Sequence, residues 1–505
     1  MKQNHKISTL CRRLFAAALA VVLILGLACS AFAVTLRELD GLRAGVMSGT
    51  PQDEIVESNV QNAQISYYNS VADLLQALKG DKIDFFVNST VSYMMMKESF
   101  PELIMTDEVL KVFDLGVIFP KSSAGEQLCE QMNEFIARIE DDGTLDELKD
   151  YWLTPDKKSP PEIPATGENG TLNMATCSTM QPFSYISEGQ PAGLDVALVA
   201  EFCREYGYGL KIDDMDFAGM LSGVEAGKYD LAASQIAWTE ERAQNILYSD
   251  VYATQDIVAI MVGDDASASS EGFFSGIAGS FVRNFVTEAR WKMIVSGLWN
   301  TLMLTVLSVL AGSILGYGIC LLRCSKNKAA VAAAKVYIKI FQGTPIVVLL
   351  LIMYYIIFGN SRLPGFWVAV AAFGLNFAAY GAEVIRSGIE SIDPGQREAA
   401  LALGYTERQS FYRFVLPQAL VRSMPVMKGQ VVSLLKGTSV VGYIAIRDLT
   451  RAADIIRSRT YEAFFPLLVT AVLYFVLAWV LTLALDRIEI TVNPRRRKKE
   501  TVQEG

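Results

Sequence analysis

Two groups of residues in this 505-residue chain have types and spacings from which chemistry can be argued, and neither is suited to breaking bonds. The first is Glu398, Ala399, Ala400, Gly404, Leu416 and Pro417, inside QREAALALGYTERQSFYRFVLP from Gln396 to Pro417. This stretch is a charged interlude between two apolar spans, so it belongs in water. Alanines give a short helix a narrow face that a partner's cleft can approach closely, and Gly404 ends it where a left-handed cap needs no Cβ. The second is Arg242, in the segment TEERAQ, where Thr239 is the expected N-cap and Glu240 and Glu241 fill the first turn. A guanidinium there stays charged and can grip a carboxylate with two hydrogen bonds, beside a helix start that itself attracts anions. An ion pair with Glu240 or Glu241 is the plainer use of the same side chain.

Other chemistry is disfavoured. His5 is the only histidine, and the seven cysteines form no CxxC and no Cys/His cluster, which argues against zinc and against histidine catalysis. Cys129, Cys177 and Cys203 lie in the soluble part, and one disulfide among them is allowed if that part is exported. No G-x-x-x-x-G-K-[ST] phosphate loop occurs, so no nucleotide cofactor is expected in this chain. Asp213 and Asp214 are adjacent and project differently, a poor acid/base pair.

These groups sit in a chain of mixed character. Hydrophobic residues make up 51% and charged residues 20%, with mean hydropathy +0.28, a blend that suggests membrane spans joined to a sizeable soluble part. The net charge of −9 is concentrated as acid in Thr35 to Glu271, which argues against nucleic acid, whereas Arg495 to Lys499 form a basic tail that reads as cytoplasmic. Residues 1–33 have the basic start, apolar run and small Ala31-Phe32-Ala33 end of a secretory signal or retained anchor, so the region from Val34 onward is expected outside the membrane.

Residues 34–153 and 171–262 switch between period two and period 3.6, as alternating strands and helices do, and TPDKKSPPEIPATGENG over 154–170 is a proline-rich linker. A spacer over 263–290 leads to a helical domain over 291–490, and 491–505 is the tail. Five spans are expected there, about Trp299 to Leu322, Ile338 to Phe358, Phe366 to Ala382, Met424 to Ile446 and Phe464 to Leu485. Positive clusters place the loops after the first, third and fifth spans in the cytoplasm. Of the charges in or near the spans, Lys436 and Glu383 are the candidates for a translocation path; end-of-helix snorkelling is the plainer role, more so for Lys428 and Arg386.

The stretch Glu398 to Pro417 resembles the coupling loop of membrane subunits of ATP-binding-cassette importers. FQGTP (Phe341 to Pro345), AAYGAEVIRSGI and LLKGTS are similar to polar amino-acid permeases, which commonly carry arginine where Gln342 stands. QPFSYISEGQPAGLDVALVAEFCREYG, DFAGMLSGVEAGKYDLAAS and TEERAQNILYSDVY resemble one lobe of periplasmic solute-binding proteins for polar amino acids. LRAGVMSGT, ALKGDKIDFFV and DDGTLDELKDYWL resemble the other lobe and its returning helix. In that family the lobes come in the opposite order, so the domain is either one circularly permuted domain or two truncated tandem domains.

The resemblance implies an exported two-lobed α/β domain followed by an all-α, five-helix permease in the cell membrane. Its partners would be a cytoplasmic ATPase dimer, a second permease copy of the same or a sister chain, and a small solute, expected to be an amino acid. Arg242 falls on the family's carboxylate-binding arginine, Phe183 and Phe217 on aromatic positions of its pocket, and Thr50, Asn88, Ser89 and Ser234 complete the expected ligand set. Ser89 stands where an ammonium-binding aspartate is usual, Ala237 where a small hydroxyl is, Pro51 where a backbone N–H helps, and Cys177 and Met180 where an acid and an aromatic are frequent. A membrane-anchored ligand sensor or channel and a binding-protein-like dehydratase are the alternative readings.

Overall fold

The computed structural model describes residues 36–156, 158–263, 279–359, 361, 363–462 and 464–492. The signal or anchor segment, the middle of the spacer and the basic tail lie outside the described residues.

Strand and helix alternate as the periodicity predicts. The first half contains β1 (Arg43–Met47), α1 (Gln52–Asn59), β2 (Gln64–Tyr68), α2 (Val71–Lys79), β3 (Phe85–Ser89), α3 (Thr90–Ser99) and β4 (Leu103–Met105). Then come β5 (Lys111–Leu115), β6 (Ile118–Pro120), α4 (Ser123–Asp141) and α5 (Thr144–Trp152). The second half contains β7 (Thr171–Thr176), β8 (Thr179–Met180), β9 (Ser184–Ser187), β10 (Gln190–Ala192), α6 (Leu194–Glu205), β11 (Gly209–Asp214) and α7 (Phe217–Glu225). It ends with β12 (Leu231–Ala232), α8 (Glu240–Ala243), β13 (Ile246–Tyr248) and β14 (Ala253–Val262).

Sheet order decides between one domain and two. The first sheet runs β2-β1-β3-β14-β4 and the second β11-β7-β12-β6-β13, so each has the same order and each takes one strand from the other half of the chain. In both, the borrowed strand pairs antiparallel with a neighbour, β14 with β3 and β6 with β12. Two truncated domains would not exchange strands. Helix α5, the returning helix, packs on α6 of the second half, with Trp152 edge-on to Tyr185 at 6.3 Å. Strands from the two halves of the α/β region are thus interleaved in both sheets. The chain divides into two units, one holding β1 to β4 and β14 from Gln255, the other Phe113–Thr254 with the helical region and the short piece Ser70–Gln76.

The helical region contains α9 (Trp291–Arg323), α10 (Lys328–Gly343), α11 (Ile346–Leu351), α12 (Gly365–Glu390), α13 (Pro394–Ala402), α14 (Glu407–Ser410), α15 (Leu416–Gly437), α16 (Leu449–Thr460) and α17 (Phe464–Val492). Among the described residues three helices, α9, α12 and α17, are long and apolar enough to cross a membrane, and two further spans exist only if bent pairs count as one. The span expected over Ile338 to Phe358 is one of these. It breaks by 109° between α10 and α11, where Gly343 and Pro345 interrupt the apolar run and proline gives no N–H to the preceding turn. The core of the bundle is made by Phe373, Phe377, Leu304, Leu350, Tyr354 and Val441, all buried where α9, α12 and the broken span meet.

Candidate functional site

The segment Gln396 to Pro417 folds as its sequence requires. Asp393 caps α13 by accepting from the Gly395 amide at 2.8 Å, with Pro394 in the first turn. Gly404 takes φ +84°, and a Cβ built there meets nothing within 4 Å, so glycine is required by backbone conformation and not by space. Thr406 and Gln409 form a reciprocal capping box on α14. Arg397 then ties the two short helices together, giving Glu407 two hydrogen bonds at 2.8 and 2.7 Å. Both side chains are more than half exposed, so this clamp shapes the loop more than it stabilises the fold. Glu398, Ala399 and Leu401 face solvent, and Leu403 is 77% exposed at the tip. Ala400 is turned inward at 2% exposure and anchors the helix instead of offering it to a partner. Pro417 lies just after a wide π turn over Phe411–Val415, which leads without a break into α15.

At the break between α10 and α11 lies a cavity of about 540 Å³ lined by Gln342, Thr344, Asn376, Tyr380, Gln430 and Ser433 among others. Asn376 donates to the Phe341 carbonyl at 2.8 Å and Gln342 to the Ala379 carbonyl at 3.3 Å, pinning the FQGTP turn to α12. A smaller cavity of about 370 Å³ continues from Gln342 and Tyr380 to Glu383 and Arg422.

Of the two charged residues expected on the path, one lines a cavity and one does not. Lys436 is exposed and lines neither cavity. Glu383 lines the smaller one, but it is engaged by Arg386 at 2.8 Å and Arg323 at 3.5 Å. Lys428 is bonded to Asp486 and Glu489 of α17, so snorkelling is not its role. Sequence reasoning weighed only charges; the signal it passed over was the neutral polar residues Asn376, Gln430 and Ser433 inside apolar helices, where each needs a partner.

The ligand set divides between the two units. In the second, Arg242 follows Thr239, whose hydroxyl caps α8 by accepting from the Arg242 amide at 3.3 Å. Its guanidinium lies over the Phe217 ring at 5.7 Å and donates to the Ala237 carbonyl at 3.1 Å. Phe217 is itself placed by Asp216, the N-cap of α7. Arg242 is half-buried and held by these contacts. Phe183 is fully buried, and its carbonyl accepts from the Asp195 amide at 2.9 Å. Ser234 is also fully buried and donates to the Cys177 carbonyl at 3.0 Å. Cys129, Cys177 and Cys203 are all free thiols, which removes the disulfide option among them.

In the first unit, Thr50 is half-buried and donates to the Met47 carbonyl at 2.7 Å. Pro51 occupies the N-cap of α1, and Gln52 folds back to accept from the Met47 amide at 2.8 Å. Ser89 is fully buried as the N-cap of α3, bonded to the Ser92 amide and hydroxyl. Asn88 is 6% exposed and accepts from the Ser89 amide. Both are occupied by the fold, because a capping serine next to a buried asparagine satisfies a strand-to-helix corner.

Comparison with known proteins agrees with this reading of the helical region. A family model described as "Binding-protein-dependent transport system inner membrane component" matches residues 308–498. The arginine transport system permease protein ArtQ of Bacillus subtilis (strain 168) is 38% identical over 194 residues, which is 37% of this chain and 87% of that protein. The L-cystine transport system permease protein TcyB of the same organism is 34% identical over 208 residues, covering 41% and 89%. A solved structure titled as an amino acid ABC transporter with histidines aligns at 35% identity and a TM-score of 0.38, over 43% of this chain and 97% of its own. The chain belongs to the family of binding-protein-dependent transport system inner membrane components.

Proposed function

We propose that this chain is both the solute-binding domain and one membrane subunit of an ATP-binding-cassette importer for a carboxylate-bearing small solute, an amino acid by analogy with the relatives' names. A separate pair of cytoplasmic ATPases docks on Glu398 to Pro417, supplies the ATP and Mg chemistry, and switches the helices between outward- and inward-facing states. A second permease copy, of this chain or a sister, completes the pathway.

The observation that carries this reading is the course of α12. Its first residues, Gly365 and Phe366, line a cavity of about 1330 Å³ shared with Asn173, Lys211 and Lys228 of the α/β domain. Its last residue, Glu390, leads directly into the coupling segment. At 26 residues it is roughly 39 Å long, long enough to span the bilayer. One helix therefore joins the α/β domain at one end to the exposed tip at Leu403 at the other. In this assignment the α/β domain is outside the cell and the tip inside. The acid/base alternative loses its residues, since Asp213 pairs with Lys211 at 3.1 Å and Asp214 is buried in another ion pair.

Arg242 supplies the grip on the solute carboxylate, whereas Ser89 and Asn88 offer no free acceptor for an ammonium. The solute class is therefore defined first by its carboxylate. A thermal-shift screen of the full-length chain in detergent, against amino acids, their N-blocked derivatives and small carboxylates, is expected to show stabilisation by one such group. Melting unmoved by every one of them would end the proposal of solute capture by this chain.

A further inference from the structure

The α/β domain and the helical region meet through a set of buried contacts formed between residues distant in sequence. On α16, between the last two spans, the Arg451 guanidinium reaches Asp214 at the end of β11. It gives Nε to Oδ2 at 3.1 Å and Nη2 to Oδ1 at 2.7 Å, and Nη2 also reaches the Met215 carbonyl at 2.5 Å. Both side chains are 6% exposed. Asp214 has a second task, accepting from the Ser178 amide at 2.8 Å, so its position in the lobe is fixed before Arg451 arrives. Burial alone would raise the Asp214 carboxyl, but the charge and hydrogen bonds of Arg451, with the Arg447 charge and the Ser178 amide, together outweigh it and hold the group below the usual carboxylate range.

The surroundings fit a lasting contact. Ile186 of β9 is 2% exposed inside an apolar cluster with Met293, Leu449, Ala452 and Ile456 of the helical region. At Gly219 of α7, a Cβ would sit 2.5 Å from the Tyr443 carbonyl, so only glycine lets the two backbones approach this closely. The Asp216 amide donates to the Gly442 carbonyl at 3.2 Å, and Tyr355 Oη donates to the Gly219 carbonyl at 2.8 Å. Lys228 caps the end of the broken span through the Phe358 and Ser361 carbonyls, at 2.9 and 3.0 Å. Because both sides belong to one chain, docking is intramolecular and even a modest interface holds it closed.

We propose that the lobe carrying Arg242 stays docked on its own permease through the transport cycle, with Arg451 and Asp214 as the latch that sets its register. Solute capture and release then leave these contacts unbroken. This rests on the reading of the chain as an importer subunit. It differs from delivery by a binding protein that leaves after each turnover. Arg451 and Asp214 are positioning residues and need touch no solute.

Hydrogen exchange on the full-length chain in nanodiscs tests it, using peptides that contain Asp216 to Gly219 and Ser184 to Ser187. Their amides are expected to stay protected, changing less than about twofold between resting chain and ATP-driven turnover with the ATPase partner present. Arg451→Met is expected to raise exchange about tenfold there and nowhere in β1 to β4. If that variant does not accumulate, Asp214→Asn, which keeps an acceptor for the Ser178 amide, carries the same expectation. Loss of protection during turnover, or exchange unaffected by either variant, would overturn the latch. Exchange does not depend on cargo: protection in a chain that captures no solute leaves the latch standing and removes the importer reading, whereas free exchange in a transporting chain does the reverse.

Discussion

Arg242 is the residue on which the proposed solute recognition turns, and its place in the first turn of a capped helix, a fixed charge at an anion-favouring site, was legible in the sequence. Its aim was not, since the Phe217 ring and the Ala237 carbonyl that hold it belong to other elements. Removing a charge-assisted bond costs about 1.5–3 kcal/mol, so Arg242→Ala should weaken carboxylate binding roughly 10- to 150-fold. Unchanged affinity in equilibrium binding would remove Arg242 from the site. Phe183 shows the opposite limit: an aromatic at a pocket position and an aromatic in the core have the same sequence signature, and only packing tells them apart.

Asp195 gives a residue-scale test of the lobe itself. It is fully buried, accepts from Tyr252 Oη and from the Gln235 amide at 2.6 Å each, and burial pushes its carboxyl up to about 6 despite those bonds. An acid whose value is raised on folding holds more proton in the folded state between about pH 4 and 6. Stability therefore falls as pH rises through that window and is level above it. Asp195→Asn cannot ionise, so between pH 4 and 7 the wild-type chain should lose roughly 3 kcal/mol relative to that variant. Parallel denaturation profiles for the two chains across that range would contradict the assignment.

Among elements, the coupling segment was the most legible, because capping, proline and glycine rules act within a few residues. Helix α13 with its left-handed Gly404 followed from local chemistry, whereas the Thr406 capping box on α14 went unread. What stayed hidden was orientation, as with Ala400 facing inward, and the break at Pro345, which hydropathy averages away. Gly404→Asp places a Cβ at φ +84°, costing roughly 1–2 kcal/mol locally, and should abolish ATPase-driven uptake while leaving solute affinity within about twofold. Leu403→Asp, at an exposed tip, should reduce co-purification of the ATPase without altering the chain's own melting. Joint loss of binding and uptake in either variant would indicate misfolding and would count against a coupling role.

At the scale of the whole molecule, family motifs in the sequence identified both lobes and their reversed order, but not whether they complete one another. Strand exchange ties the two halves together: β6 sits in the second sheet and β14 in the first. Pairings at such separations leave no trace in local periodicity, and neither does the Arg451 to Asp214 contact. The α/β region draws on both halves of the chain and the helical region follows it in sequence, so both parts belong to one polypeptide.

The measurement that tests this union most directly is uptake of a radiolabelled carboxylate solute into proteoliposomes holding only this chain and its ATPase partner, with no separate binding protein. Saturable, ATP-dependent uptake that disappears in Arg242→Ala is the predicted result. Uptake that needs an added binding protein, or that persists unchanged without Arg242, would contradict it.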